Sequence, residues 1–249
     1  QSKKRDFTTI LTVPPVLPYF RGQYQYSETV TDTKTFGFDL QTDWTLGDRN
    51  ILIAGASFFR DTNTDRRLTI TANTATSTPQ SVSNSRSVPD ASLANFSLFA
   101  QDEFRITNRV KLVGGIRYDM FRTQADPTSD FSLPASFTPS QIEDLGLTGL
   151  TSGLNVTNTA FTGDIGIIYT INPNVTVSSR IGRSFRTPNI FERFFTDLGS
   201  FGGFLVGNPN LEPETGINFD TSVRFKVKKL VASATYFNNY YENFLSTTT

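Results

Sequence analysis

The feature that most constrains this chain is an alternation of apolar and polar side chains with a period of two. That period puts successive residues on opposite faces of an extended strand. Over residues 158–171, Phe161, Ile165, Ile167, Tyr169 and Ile171 share one face, and Thr162, Asp164 and Thr170 share the other. Residues 214–227 set Ile217, Phe219, Val223, Phe225 and Val227 against Asn218, Asp220, Ser222, Arg224 and Lys226. Residues 109–120 alternate Val110, Leu112, Ile116, Tyr118 and Met120 with Lys111, Arg117 and Asp119, whereas 50–60 is apolar on both faces. The pattern predicts an all-β chain whose sheet has one continuous apolar face.

Four segments repeat an aromatic, polar, aliphatic, turn signature: Trp44 to Asp48, Phe104 to Asn108, Tyr169 to Pro173 and Phe225 to Lys229. A second strand starts directly after each, near Asn50, Arg109, Val175 and Leu230, so the spacing predicts four hairpins with turns of two or three residues, about eight strands in all. The other connections are long: about 30 residues from Arg60 to Ser92, about 35 from Arg122 to Asn158 and about 27 from Arg186 to Glu214. Short turns at one end and long polar loops at the other predict an antiparallel transmembrane β-barrel segment, with the turns periplasmic and the loops extracellular. Trp44, Phe104, Tyr169 and Phe225 share the parity of the apolar face and are expected to form a girdle at one membrane interface. The alternative is a β-sandwich whose aromatics cap the core, but long loops of this kind are uncommon there.

Composition narrows the chemistry. The 249 residues contain no Cys and no His, which removes thiolate zinc sites, iron–sulfur clusters, Ser-His-Asp triads and histidine-ligated haem within this sequence. The 23 basic and 23 acidic side chains balance and spread evenly, unlike a nucleic-acid-binding footprint. No apolar run is long enough for a transmembrane helix, which leaves a β-barrel open. The first residues carry no signal-peptide pattern, and the chain reads as a piece of something longer. No metal site, phosphate-cradling loop, catalytic constellation or cofactor motif is expected. Asp126, Asp130, Glu143 and Asp144 lack calcium-loop spacing and read as solvated loop charge. Thr138-Pro139-Ser140-Gln141 and Ser140-x-x-Glu143 resemble capping boxes and predict a short helix over 139–145.

Two stretches resemble a known family. Leu98 to Asp119 looks like barrel sequence of the TonB-dependent outer-membrane receptors. Gly182-Arg-Ser-Phe-Arg-Thr-Pro-Asn-Ile-Phe-Glu192, followed by Gly207-Asn-Pro-Asn-Leu-Glu-Pro-Glu-Thr215, is similar to the F-R-x-P and N-P-N-L-x-P-E boxes that flank one external loop in that family. The matching positions are Phe185, Arg186, Pro188, Asn208, Pro209, Asn210, Leu211, Pro213 and Glu214. The resemblance covers about residues 34–246. It implies a segment of a plugged barrel of 22 strands, with the plug, the TonB box and the closing C-terminal strand lying outside residues 1–249. It further implies a bacterial outer-membrane location, the TonB complex as partner through the N-terminal region, and import of a scarce ligand rather than an enzymatic reaction. A ferric siderophore is the expected ligand, with haem or cobalamin as the alternative, and haem ranks below it because the loop between the boxes lacks the histidine that haem receptors commonly use there.

Several residues carry specific expectations. Arg180 and Arg186 share the polar face, where a guanidinium meets either a lumenal carboxylate or an anionic ligand. Glu212 and Glu214 are candidate partners for Arg186 or Arg183, while Pro188 and Pro209 end strand pairing and Asn208 and Asn210 fix the loop. Phe191, Phe194, Phe195, Phe201 and Phe204 either pack as a small loop core or offer a platform to a flat ligand. Two other architectures compete: a closed eight-stranded structural barrel, in which residues 34–46 pair with 230–246, and a soluble sandwich module.

Overall fold

The computed structural model describes residues 2–13, 23–73, 79–133, 137–198 and 204–246. It contains β1 (Ser2–Val13), β2 (Gln23–Leu46), β3 (Asn50–Asn73), β4 (Pro79–Ser85), β5 (Asp90–Arg105), β6 (Val110–Asp126), α1 (Pro139–Asp144), α2 (Thr148–Ser152), β7 (Leu154–Asn172), β8 (Val175–Arg186), α3 (Ile190–Phe194), β9 (Thr196–Leu198), β10 (Phe204–Val206), β11 (Glu214–Val227) and β12 (Leu230–Glu242). Ten strands form one antiparallel sheet in the order β1-β2-β3-β5-β6-β7-β8-β11-β12, with β4 paired to the outer part of β3, and β9 and β10 form a separate ribbon. All four hairpins lie where the repeated signature predicts them. Gly47 and Lys228 supply the left-handed backbone of two turns, with φ 65° and 49°. The β5–β6 turn is longer than expected, four residues from Ile106 to Arg109, and its Thr107 hydroxyl accepts from the Arg109 and Val110 amides.

The expected strand number is too low. β1 and β4 join the sheet, and β2 and β3 each run 24 residues. Their outer parts, such as Thr29 to Thr35 and Asp61 to Thr71, are rich in Thr, Asn and charge on both faces, so they carry no apolar alternation to read. They are strands by backbone pairing rather than by hydrophobic pattern, and the segment from Arg60 to Ser92 is mostly sheet rather than loop. The closed eight-stranded alternative is also corrected. Residues 34–46 of β2 pair with β3, β12 pairs with β11, and the sheet is open among the described residues.

Register fixes the geometry of the wall. Following the pairing from Trp44 leads to Leu52 and then Asp102, two residues from Phe104. From Phe104 it leads to Leu112 and Ile167, two residues from Tyr169; from Tyr169 it leads to Val177 and Val223, two residues from Phe225. The aromatic row therefore slips one residue per strand. At about 3.3 Å per residue and about 4.8 Å between strands, that slip corresponds to strands tilted by roughly 35°, the tilt of a closed barrel wall. Eight residues above these four positions, on the same strands and the same face, stand Phe36, Phe96, Phe161 and Ile217. Eight residues at this tilt rise about 22 Å, close to the height of an outer-membrane apolar band.

Between the two rows the apolar face is exposed, with Phe38, Leu40, Leu98, Ile116, Ile165, Ile181 and Val223 among its side chains. The only charged side chains on that stretch, among the described residues, are Asp102 low on the wall and Arg183 just below the upper row. The opposite face is a polar lattice. Arg117 donates to Asp119 at 2.8 Å and to the Ser97 hydroxyl at 2.6 Å, and Asn95 donates to Asp119 at 3.2 Å. Phe99 lies across Gly55, where a β-carbon would come within 2.5 Å of its ring, so the glycine is a seat for that aromatic.

Candidate functional site

The buried apolar residues gather above the upper row, where the connections at 86–89, 127–153 and 187–213 meet. Val88, Ala91, Leu93, Ala125, Phe131, Leu147, Leu150, Ile190 and Phe194 form one cluster, with Phe121, Phe191, Phe195 and Val206 packed against it. Hydrogen bonds tie the three connections pairwise. The Thr196 amide donates to the Ser87 carbonyl at 2.7 Å, the Arg86 guanidinium to Asp130 at 2.8 Å, and the Asn210 side-chain amide to the Gly146 carbonyl at 2.9 Å. The short helix predicted near 139–145 is α1, with the Thr138/Gln141 capping box formed and Pro139 in its first turn.

The two motif boxes interlock inside this cap. β8 ends at Arg186, Pro188 is buried, and Asn189 starts α3 through a capping box with Glu192. Box two passes directly across α3: the Gly207 amide donates to the Phe195 carbonyl at 2.6 Å and the Asn208 amide to the Glu192 carbonyl at 3.0 Å. Gly207 lies so close that a β-carbon there would sit 2.6 Å from the Arg193 carbonyl carbon. The Asn208 side chain accepts from the Asn210 amide at 2.9 Å, the local turn expected of it. Pro209 is buried, and its carbonyl accepts from Arg193 at 2.5 Å. Leu211 donates its amide to the Asn208 carbonyl at 3.3 Å, and Pro213 leads into β11.

Arg186 is the electrostatic centre of the boxes. Its Nε and one Nη donate to the two oxygens of Glu214 at 2.6 and 3.0 Å, and the other Nη donates to both oxygens of Glu192 at 2.8 and 3.0 Å. Glu214 thus sits beside Arg186 as expected, while Glu212 accepts from Asn243 instead. The Arg186 hydrogen bonds, reinforced by the Leu245 amide, hold the Glu214 carboxyl down at about 2. Arg180 stands lower on the polar face and donates to Asp164 at 2.9 Å. It borders a recess of about 550 Å³ floored by Gly115, Gly163 and Gly182.

The aromatic residues of the loop separate by position. Phe194 is completely buried in the cap core, and Phe191 packs against Phe195 with ring centroids 6.1 Å apart. Phe204 opens β10, and Phe201 lies outside the described residues. Trp44, Phe104, Tyr169 and Phe225 are all exposed on the apolar face. Two residues without an assigned role in the sequence reading prove central. Glu192 both caps α3 and pairs with Arg186, and the Asn189-x-x-Glu192 spacing is the signal that identifies it. Arg193 is almost fully buried and bridges the Pro209 carbonyl to Asn158, so one guanidinium joins both boxes to β7. Burial pulls its pKa down, against the raising effect of Glu192.

Known proteins share this architecture. "Ferric enterobactin receptor PirA" of Pseudomonas aeruginosa is 30% identical over 134 residues, covering 47% of this chain and 18% of that protein. "Iron-regulated outer membrane virulence protein" of Vibrio cholerae is 35% identical over 79 residues, 30% of this chain and 12% of that protein. The chain therefore matches less than a fifth of the length of these relatives. Among solved structures, "Copper transporter OprC" superimposes with a TM-score of 0.66 at 16% identity, covering 98% of this chain and 39% of that one. The ferric-catecholate import receptor Fiu of E. coli K12 gives 0.56 at 15% identity, covering 96% and 37%. These likenesses establish the fold. The family model described as "TonB dependent receptor-like, beta-barrel" matches residues 2–249, which extends the likeness some thirty residues upstream of residue 34. The tilted antiparallel wall agrees with that match, and the chain belongs to the β-barrel domain of the TonB-dependent receptors of the Gram-negative outer membrane.

Proposed function

We propose that the protein imports a ferric siderophore, binding it at the outer face and releasing it inward when the TonB complex acts through a plug domain belonging to the same polypeptide. In this reading residues 1–249 are a part of the barrel. The observation that carries the ligand class is the relationship to proteins named as ferric enterobactin receptors, one of them 30% identical over 134 residues. Two features of the chain agree with it. Arg180 and Arg186 keep exposed guanidinium edges on the polar face, which an anionic ferric complex would share with their present partners, Asp164 for Arg180 and Glu192 and Glu214 for Arg186. The absence of histidine in this sequence weighs against haem, and cobalamin stays second for want of any feature that favours it.

Within the site, Arg180, Arg186 and Phe191 are the candidate ligand contacts, with Phe201 and Phe204 on the same loop. Phe194, fully buried, serves by holding that loop in shape. Trp44, Phe104, Tyr169 and Phe225 form the periplasmic-side interface girdle, against outer-membrane lipid. Uptake of radiolabelled iron in a receptor-deleted strain tests the proposal. The full receptor gene is expected to restore uptake from ferric enterobactin in a strain with TonB and not in one without it. Restoration by haem or cobalamin alone overturns the siderophore assignment.

A further inference from the structure

The polar face of the wall is uneven, and it is barest along β8 and the strands beside it. From the cap downward β8 turns Arg186, Ser184, Gly182, Arg180, Ser178 and Thr176 toward that face. Two guanidiniums six residues apart, about 20 Å along the strand, are therefore separated and followed by small side chains. Gly115 of β6 and Gly182 of β8 lie in one register row, on either side of Asp164. The row sits between the two aromatic rows, and the recess of about 550 Å³ beside Arg180 opens over it.

Packing does not account for Gly115. On the same face a β-carbon at Gly55 would meet the Phe99 ring at 2.5 Å, one at Gly182 the Asp164 β-carbon at 2.8 Å, and one at Gly216 the Tyr241 ring at 2.7 Å. At Gly115 it would meet nothing nearer than 3.7 Å, and the backbone there is not left-handed. A glycine inside a strand weakens it and marks a place where a ligand or another backbone comes close. The neighbouring charges favour a ligand. Arg180 uses only its Nε, on Asp164, and Arg117, the next residue above Gly115 on this face, uses its Nε on Asp119 and one Nη on Ser97. The remaining Nη groups are open to an anion among the described residues. Asp164 and Asp220 border the same recess, so an anion is met there without being trapped, as passage requires. We propose that the anionic ferric complex, once released from the cap, moves inward along the polar face of β8 and over Gly115, whose missing side chain provides the clearance. The proposal rests on the import of a ferric siderophore and adds its route past this part of the wall.

Binding and uptake of ferric enterobactin by the full-length receptor, expressed in a receptor-deleted strain, test the route. Gly115→Leu is expected to slow TonB-dependent uptake at saturating ligand by roughly tenfold, the scale of a modest steric barrier, while cells without TonB bind the complex with the parent's affinity. Gly115→Ala should lose little and Gly115→Phe more than Gly115→Leu, so that the rate falls with side-chain volume. Gly114→Leu, on the lipid side of the same strand and equally free of close neighbours, is expected to match the parent in both assays. Unboiled gel mobility identifies folded receptor. Should Gly115→Leu not fold, Gly115→Cys is labelled with a bulky thiol reagent after folding, alongside the parent, and only the variant is expected to lose uptake. Parent-rate uptake by the folded or labelled variant, or an equal loss in Gly114→Leu, overturns the route. A loss of affinity that accounts for the loss of rate makes Gly115 part of the outer binding site, and ion leakage through the variant in planar bilayers makes it a seat of the plug; each also overturns the route. Failure of the parent itself to import ferric enterobactin overturns the ligand reading, and the route with it.

Discussion

The wall between the two aromatic rows and the cap above it are held together by opposite means. The wall exposes its large apolar side chains and has no buried apolar cluster; every member of the one cluster among the described residues lies in the cap or at the strand ends beneath it. In the wall, stability comes from backbone ladders whose polar groups have no alternative partner in lipid. In the cap it comes from burying apolar surface away from water, as in a soluble domain. The difference teaches that one antiparallel sheet passes through two solvents and that a substitution has to be judged by the solvent it faces.

The largest expected effect is in the cap. Phe194→Ala empties the centre of the core and should cost about 3–5 kcal/mol locally. Hydrogen exchange should show the amides of α3 and Leu211 losing protection while β6 and β7 between the rows keep theirs; equal loss in both zones would break the comparison. Next comes Arg193→Ala, which strips the Pro209 carbonyl of its donor and leaves a void, at about 2–4 kcal/mol. Arg193→Met fills the volume and should cost clearly less, read by denaturant titration of a fluorophore in the cap.

The ion pairs sharpen the contrast through pH. The Glu214 carboxyl is held down at about 2 by Arg186, against an ordinary value of 4.5. A depressed folded-state pKa contributes stability above the ordinary value and loses it as the pH falls. The junction of the boxes should therefore loosen between about 4.5 and about 2, and Glu214→Gln should abolish that dependence. Its cost at neutral pH should be about 1 kcal/mol, since Arg186 is partly solvated. The smallest effect belongs to the wall. Asp102 faces outward between the rows, and its Oδ1 is buried without a hydrogen-bond partner. Asp102→Asn should raise the stability of the refolded barrel in lipid by about 0.5–1 kcal/mol.

The same contrast explains what could be read from sequence. Where the strands face lipid on one side and the lumen on the other, the alternation at Phe161 to Ile171 and Ile217 to Val227 gives register, parity and turns directly. Above the upper row both sides face water. The outer parts of β2 and β3 then lose the alternation and resemble loops, although their backbones pair without a break. In the cap, local signals were legible: the capping box at Thr138 and the placement of Arg186 beside Glu214. The joining of Arg193 to Asn158 and of Asn210 to Gly146 spans 35 and 64 residues, and no local pattern encodes such contacts.

The bond from Thr196 to the Ser87 carbonyl links residues 109 apart in the chain, across two hairpins. Among the described residues the apolar cluster of the cap draws on all three connections, so it is complete only once those hairpins are side by side in register. Long-range contacts of this kind are slow to form because loop closure precedes any reward. The cap is therefore a late event in assembly: substitutions in it should accelerate unfolding while leaving the rate of barrel insertion unchanged.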